Sequence, residues 1–524
     1  MTSDGIHQPP PAAQGLTGRA LGGMLWTFSG TGVQMAVQFI AIMALGRLLT
    51  PTEFGLMGAA NVVVGISQIV SQIGVGPALI QRQHLETRHV QVAVTLSFAM
   101  GLLLGALVYA GAPAIAAFYR MPQLEPVLRV VALLFPIDGM NTVTKSLLTR
   151  QLRFRLYIAL DAGSYILGYA AVGVFLAWQG FGIWALVIAS LAQHTLRGIA
   201  MYLAVRHSLR PSFDLPAAKA LLSFGIGHSM AQFGTLISQQ GDNLVVGRWL
   251  GPAALGLYGR AYGLMVLPAQ AFGRIVNRVL FPIMAQVQNE RHRLVNAYER
   301  GVAIVALGSL PISSFLWVVA PEFIPVILGP SWDEVVLPFR LFSISLLFRM
   351  GSKISDACIK AAGEVYAWAM LQFLYAALVV GGAIVGQRWG VGGVAVCVSL
   401  AMAVDWLCMA QLARRVTGLS WGRFAAAHRP GVFLAIVVGG AGVAGAALAR
   451  AAHFGPVSVL LVAALAAALA AAAVVRLTPV IFLGPHGTWA LNRTQELLRS
   501  RLRRPASEQP QEQLVGVSEK GPDQ

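Results

Sequence analysis

Charge is scarce in this chain of 524 residues: Asp, Glu, Lys and Arg make up 11% of it, hydrophobic residues 56%, and the mean hydropathy is +0.67. A soluble domain of that length needs more charge to cover its surface, so most of the chain must face lipid. Cysteine is nearly absent too. Cys358, Cys397 and Cys408 lie in or beside apolar runs with no pairing or metal-ligand spacing, which excludes a disulfide framework and a resident metal. The chain has no phosphate-cradling G-x-x-x-x-G-K loop, no H-E-x-x-H pair and no extramembrane segment large enough for a catalytic domain. An enzyme is not expected, and no cofactor is implied. Acidic residues number 21 against 38 Lys and Arg, for a formal charge of +17. In a soluble protein that balance would suggest nucleic acid. Here it reads as loop charge that sets membrane orientation, with no nucleic-acid platform.

What is present is a succession of apolar runs, about fourteen of them long enough to span a bilayer as helices. Open strands would leave backbone groups unsatisfied in hydrocarbon, so the expected fold is all-α and polytopic. The first run begins after Arg19 and reads as an uncleaved span. With the N-terminus placed inside and the spans alternated, one side collects Arg82, Arg88, Arg150, Arg153, Arg155, Lys353, Lys360, Arg414 and Arg415. The other side receives about one Arg per loop, the asymmetry expected when both ends are cytoplasmic. The stretch 285–301 reads as an amphipathic helix on the cytoplasmic surface, and the polar tail from Pro505 as disordered.

One stretch occurs twice. GRLLTPTEFGLMGAA at 46–60 returns as GRWLGPAALGLYGRA at 247–261, with eight identities in fifteen positions and no gap. The shared residues include Arg47 with Arg248 and Pro51 with Pro252, both scarce types here. The interval holds an even number of spans, so both copies face the same side and the halves are parallel repeats. The expected organisation is a polar tail 1–18, six-helix lobes over 19–214 and 215–416, two further helices over 417–480, and a cytoplasmic tail 481–524.

The stretch running from the first motif through NVVVGISQIVSQIGVGPALIQR resembles the first two spans of the polysaccharide flippases, the Wzx/PST branch of the MOP (MATE-like) superfamily. The stretch DNLVVGRWLGPAALGLYGRAYGLMVLPAQAFGRIVNRVLFPIMAQ is similar to the same family's seventh and eighth spans. The resemblance covers roughly residues 19–415. It implies an alternating-access carrier that moves a polyprenyl-pyrophosphate-linked oligosaccharide across the bacterial inner membrane for polysaccharide export. The implied partners are that lipid-linked glycan, membrane lipids and the polymerase and export machinery. A MATE-like small-molecule antiporter is the alternative, and a membrane glycan polymerase or ligase a second.

Ionisable groups within spans are costly unless they face a polar cavity, so each is a candidate site. Arg260 and Asp242 lead: Arg260 to meet phosphate through its bidentate fork, Asp242 to take part in substrate binding or accept a coupling H+ or Na+. Arg274 and Arg278, one turn apart, make a second phosphate site or a headgroup anchor. Asn61, Gln68 and Gln72 form a polar stripe in span 2, Gln34 and Gln38 another in span 1, and Gln239 stands in span 7 beside Asp242. These amides suit sugars, or equally hold helices together. Asp138 is a further ion-coupling candidate, seven residues from Lys145 and so placed to form a buried pair with it. Arg340, Arg349 and Asp405 complete the cleft candidates.

Overall fold

The computed structural model describes residues 36–72, 75–82, 85–276, 280–484 and 488, and among them there is no strand. The N-terminal tail 1–18 and the tail from Pro505 lie outside the described residues. The N-terminal half runs α1 (Ala36–Leu48), α2 (Pro51–Gln72), α3 (Val75–Gln81), α4 (Thr87–Tyr119), α5 (Leu124–Val131), α6 (Leu134–Arg150) and α7 (Phe154–Ser164). It continues through a π-helical segment, Tyr165–Ala171, into α8 (Val172–Trp178) and α9 (Ile183–Val205). The C-terminal half contains α10 (Leu215–Ile275), α11 (Phe281–Gln286), α12 (Arg291–Leu328), α13 (Val336–Ile344), α14 (Leu346–Ala361), α15 (Val365–Gly386) and α16 (Gly390–Thr417). Two more long helices follow, α17 (Trp421–Ala451) and α18 (Pro456–Leu477). Among the described residues, 9 helical stretches are long and apolar enough to cross a membrane.

Local chemistry accounts for the breaks. Between α1 and α2, Pro51 opens the new helix and the Glu53 carboxylate accepts from the Thr50 backbone N–H (2.7 Å) and hydroxyl (2.9 Å). In the second copy of the motif, α10 is broken at Gly251, whose φ of 86° a side chain would resist, and Pro252 restarts it. The two copies meet each other. A Cβ on Gly55 would run into the Pro252 carbonyl, and one on Gly256 into the Pro51 carbonyl. Their surroundings correspond as well: Gly46 packs on Leu328, at the end of α12, while Gly247 packs on Tyr119, at the end of α4. The repeat thus forms a reciprocal crossing about a local two-fold, and α2 against α10 is the most extensive helix pairing among the described residues.

One apolar core spans both halves at this crossing, from Leu45 and Leu56 to Leu255, Tyr258 and Trp332. Farther along the helices the core divides. Val75, Leu79, Val92 and Val143 form a cluster in the N-terminal half, while Met284, Tyr298, Ile354 and Met409 belong to a separate one in the C-terminal half. Among the described residues, the buried core that joins the halves is the one at the motif end. The added helices α17 and α18 pack on α12.

Two expectations need correcting. The stretch 285–301 is not a separate surface helix, because from Arg291 it is the beginning of α12, which continues unbroken to Leu328. Lys353 and Lys360 are not loop residues either: α14 carries both within the bundle. A loop assignment that follows basic residues ends the helix too early when those residues face inward.

Candidate functional site

Helix α14 places Arg349, Ser352, Lys353, Asp356 and Lys360 on one face, since the charged members recur at four, three and four residues. That face lines a cavity of about 210 Å³ whose other walls include Gln239, Trp368, Tyr375 and Asp405. Within it Lys360 pairs with Asp356 (2.9 Å) and lies over the Trp368 ring (4.0 Å). Ser352 donates to Asp405 (2.9 Å), and Arg349 donates to the Tyr375 hydroxyl (3.2 Å). Lys353 makes no hydrogen bond or ion pair among the described residues. Its stem lies 4.0 Å from where a Cβ on Gly273 of α10 would fall.

Asp242 is deeper, 2% exposed, and accepts from the Tyr258 hydroxyl (2.6 Å) and the Asn243 backbone N–H (2.8 Å). Arg349 is within electrostatic range of Asp242, Tyr262 and Tyr375, so one buried network joins α10 to α14 and α15. Gln239, one turn before Asp242, is exposed to the cavity, and Ser238 beside it lines the same wall.

Arg260 stands apart from that cavity. Its guanidinium lies 3.9 Å from the Phe54 ring of α2, with Tyr165 and Tyr169 of the π-helical segment in electrostatic range. It makes no hydrogen bond or ion pair among the described residues. In the N-terminal half, Asp138 does not pair with Lys145, which is exposed. It sits against His194 Nδ1 (2.6 Å) and Arg197 (3.0 Å), and Arg197 reaches on to Asp161 (3.6 Å). The reason is geometric: α6 turns Asp138 toward α9, and Asn141, one turn on, donates to the His194 carbonyl (3.0 Å). Arg340 is not in the cavity, because its guanidinium donates to the Trp317 carbonyl (3.0 Å) and stacks near that ring.

Of the remaining amides, Asn61 is exposed and Gln38 half-buried. Gln34 and Arg278 lie outside the described residues, and Gln68, Gln72 and Arg274 are described as helical backbone only. Sequence reasoning missed Lys353, Lys360, Asp356, His194 and Arg197. The four-three-four spacing in α14 was the available signal for the first three. His194 and Arg197, one turn apart within an apolar run, were the signal for the others.

A model of the "Polysaccharide biosynthesis protein" family matches residues 44–337, more than half of the chain, and the chain belongs to that family. Its relatives include the teichuronic acid biosynthesis protein TuaB of Bacillus subtilis, 28% identical over 67% of this chain and 72% of that protein. The succinoglycan biosynthesis transport protein ExoT of Rhizobium meliloti is 28% identical over 75% and 78% of the two chains. In fold, the chain is similar to the lipid II flippase MurJ in an inward closed conformation (TM-score 0.70, 14% identity, 86% of this chain and 99% of that one). It also matches an inward-facing multidrug resistance MATE family transporter of the MOP superfamily (TM-score 0.58, 18% identity, 74% and 96%). The chain is thus a multi-pass bacterial membrane protein of the polysaccharide biosynthesis protein family, with the fold of those two solved transporters.

Proposed function

We propose that the protein flips a polyprenyl-pyrophosphate-linked oligosaccharide from the cytoplasmic to the periplasmic leaflet by alternating access, supplying subunits for polysaccharide export. One observation carries the reading: Arg260, within the membrane-spanning bundle, has no hydrogen bond or ion pair among the described residues, while Lys353, in a cavity it shares with Asp356 and Asp405, is a second cation open to an anion. An uncompensated cation in that setting is costly, and an anionic cargo relieves the cost. A pyrophosphate meets Arg through paired N–H donors and Lys through its point charge. A cationic drug, the cargo of an antiporter, would be repelled by the same groups.

In this reading both termini are cytoplasmic and the crossing at Gly55 and Gly256 faces the periplasm. The lobes 19–214 and 215–416 rock about that crossing, 417–480 is an addition, and Asp242 is the place for a coupling H+ or Na+. Arg260→Ala and Asp242→Asn are expected to abolish export at unchanged protein level. Leaflet-resolved labelling of the lipid-linked glycan in depleted cells tests the function itself. Accumulation in the cytoplasmic leaflet supports flipping, whereas an unchanged distribution with altered drug sensitivity supports the antiporter.

A further inference from the structure

The local two-fold is broken at the pair Gly58 and Gly259. In the first motif Leu255 reaches across and covers Gly58, with its side chain 3.4 Å from where a Cβ would lie. The corresponding glycine of the second motif, Gly259, has nothing within 4 Å, and neither has Gly263 one turn later. The first copy has Ala59 where the second has Arg260, and Ala59 is fully buried. One side of the crossing is therefore closed and apolar, while the other is hollow and carries an arginine.

That hollow faces the bundle interior. Gly259 is exposed and Arg260 and Gly263 are half-buried, whereas Tyr258, Ala261, Leu264 and Met265 on the remaining faces are buried. Gln270, on the same accessible face, is exposed as well. A helix face bearing Arg and Gln would be costly against lipid. Phe54 and the two tyrosines, from other helices, also surround the guanidinium.

Tyr165 and Tyr169 form the other wall. Their rings stack with centroids 5.3 Å apart and planes 20° apart. They are held there by the π-helical segment, a rare conformation that recurs at functional sites. Gly168 lets that segment lie against the Gln193 backbone of α9, 2.5 Å from where its Cβ would fall, so the segment is seated against α9. Both tyrosine rings are half-buried, and neither hydroxyl makes a hydrogen bond among the described residues. An aromatic face with free hydroxyls beside an unpaired guanidinium combines apolar surface, donors and acceptors, and positive charge.

We propose that Tyr165, Tyr169 and Arg260 form a subsite for the sugar–phosphate junction of the cargo: Arg260 holds the phosphate, and the tyrosines receive the first pyranose ring. The hollow at Gly259 and Gly263 supplies the room. This assignment rests on the flippase reading and sharpens it, because recognition then extends past the pyrophosphate to the sugar attached to it. No covalent step is involved.

The test is binding of two probes to the purified protein in nanodiscs: farnesyl pyrophosphate and farnesyl-pyrophosphoryl-glucose. The native protein is expected to bind the glucosylated probe about tenfold more tightly, the range of one well-placed aromatic contact. The Tyr165→Ala/Tyr169→Ala variant is expected to bring the two affinities together while still binding farnesyl pyrophosphate, and Arg260→Ala to weaken both. Should the double tyrosine variant not fold, Gly259→Ala/Gly263→Ala adds methyl groups only to open space and is expected to lose the same preference. If both probes bind with no preference for glucose, or if the preference survives these substitutions, the subsite is overturned and the flippase reading stands. If neither probe binds, the flippase reading falls and the subsite with it.

Discussion

Alanine at Gly55 is expected to loosen the crossing of the two halves. The new Cβ would lie 2.5 Å from the Pro252 carbonyl carbon and closer still to its oxygen. Restoring ordinary contacts of about 3.2–3.5 Å to both atoms requires α2 and α10 to part by roughly 1.5 Å. A crowded side chain can rotate away; a carbonyl fixed in a helix start cannot. Overpacking costs about 1–3 kcal/mol, and this site belongs at the upper end. Alanine returns about 1 kcal/mol through its helix propensity, leaving a net loss of about 1–2 kcal/mol. Gly256→Ala meets the Pro51 carbonyl in the same way and should cost about as much. The double variant should cost less than the sum, because the separation that admits one methyl admits the other. Gly259→Ala, facing open space, has only the propensity gain and should stabilise. The assay is thermal unfolding in detergent, followed by Trp fluorescence for all four variants. Unchanged melting of Gly55→Ala, or strictly additive losses in the double variant, would refute the reciprocal contact.

Three other outcomes can be measured. Trp332→Phe deletes the indole N–H that donates to the Gly46 carbonyl (2.7 Å) while keeping a ring against Phe54, and should lower unfolding stability by about 1–3 kcal/mol. Lys353→Gln removes the unpaired ammonium from the cavity, so it should leave melting unchanged or raised while weakening binding of farnesyl pyrophosphate; equal affinity would count against the cavity's role. Burial lowers the imidazole of His207, in the loop between α9 and α10, below its ordinary 6.5, and the ring contacts the Thr144 hydroxyl (3.1 Å). The unfolded chain therefore binds the proton more readily. This contribution is complete above about pH 6.5 and declines as pH falls through that value, so melting temperatures from pH 8 to 5 should decline less steeply for His207→Gln.

The architecture was legible because its signals are long. Apolar runs of spanning length and an ungapped fifteen-residue echo average over many residues and tolerate local error. The site was legible only in part. Arg260 was singled out as an ionisable group within a span, and the structure finds it beside a hollow. Lys353 and Lys360 were read as loop charges because a basic residue near the end of an apolar run has the same local signature whether it faces headgroups or a cavity. Only the helical spacing of 349, 353, 356 and 360 distinguishes the two. Asp138 was matched with Lys145 because a single helix reveals its own periodicity; its actual partners, on α9, depend on packing. The π-helical segment had no visible precursor in the sequence, since one extra residue in a turn leaves composition and spacing nearly unaltered.

The reciprocal seating of Gly55 on Pro252 and Gly256 on Pro51 also bears on the chain's history. Where two copies of one ancestral segment touch each other, a change in either is met immediately by its twin, so the two are held to the same answer. Helices that touch unrelated neighbours carry no such obligation and drift apart. The likeness of the halves is readable in the sequence at 46–60 and 247–261, where they are in contact. Arg260, where the first copy has Ala59, is one departure beside that axis, and the one that adds a charge.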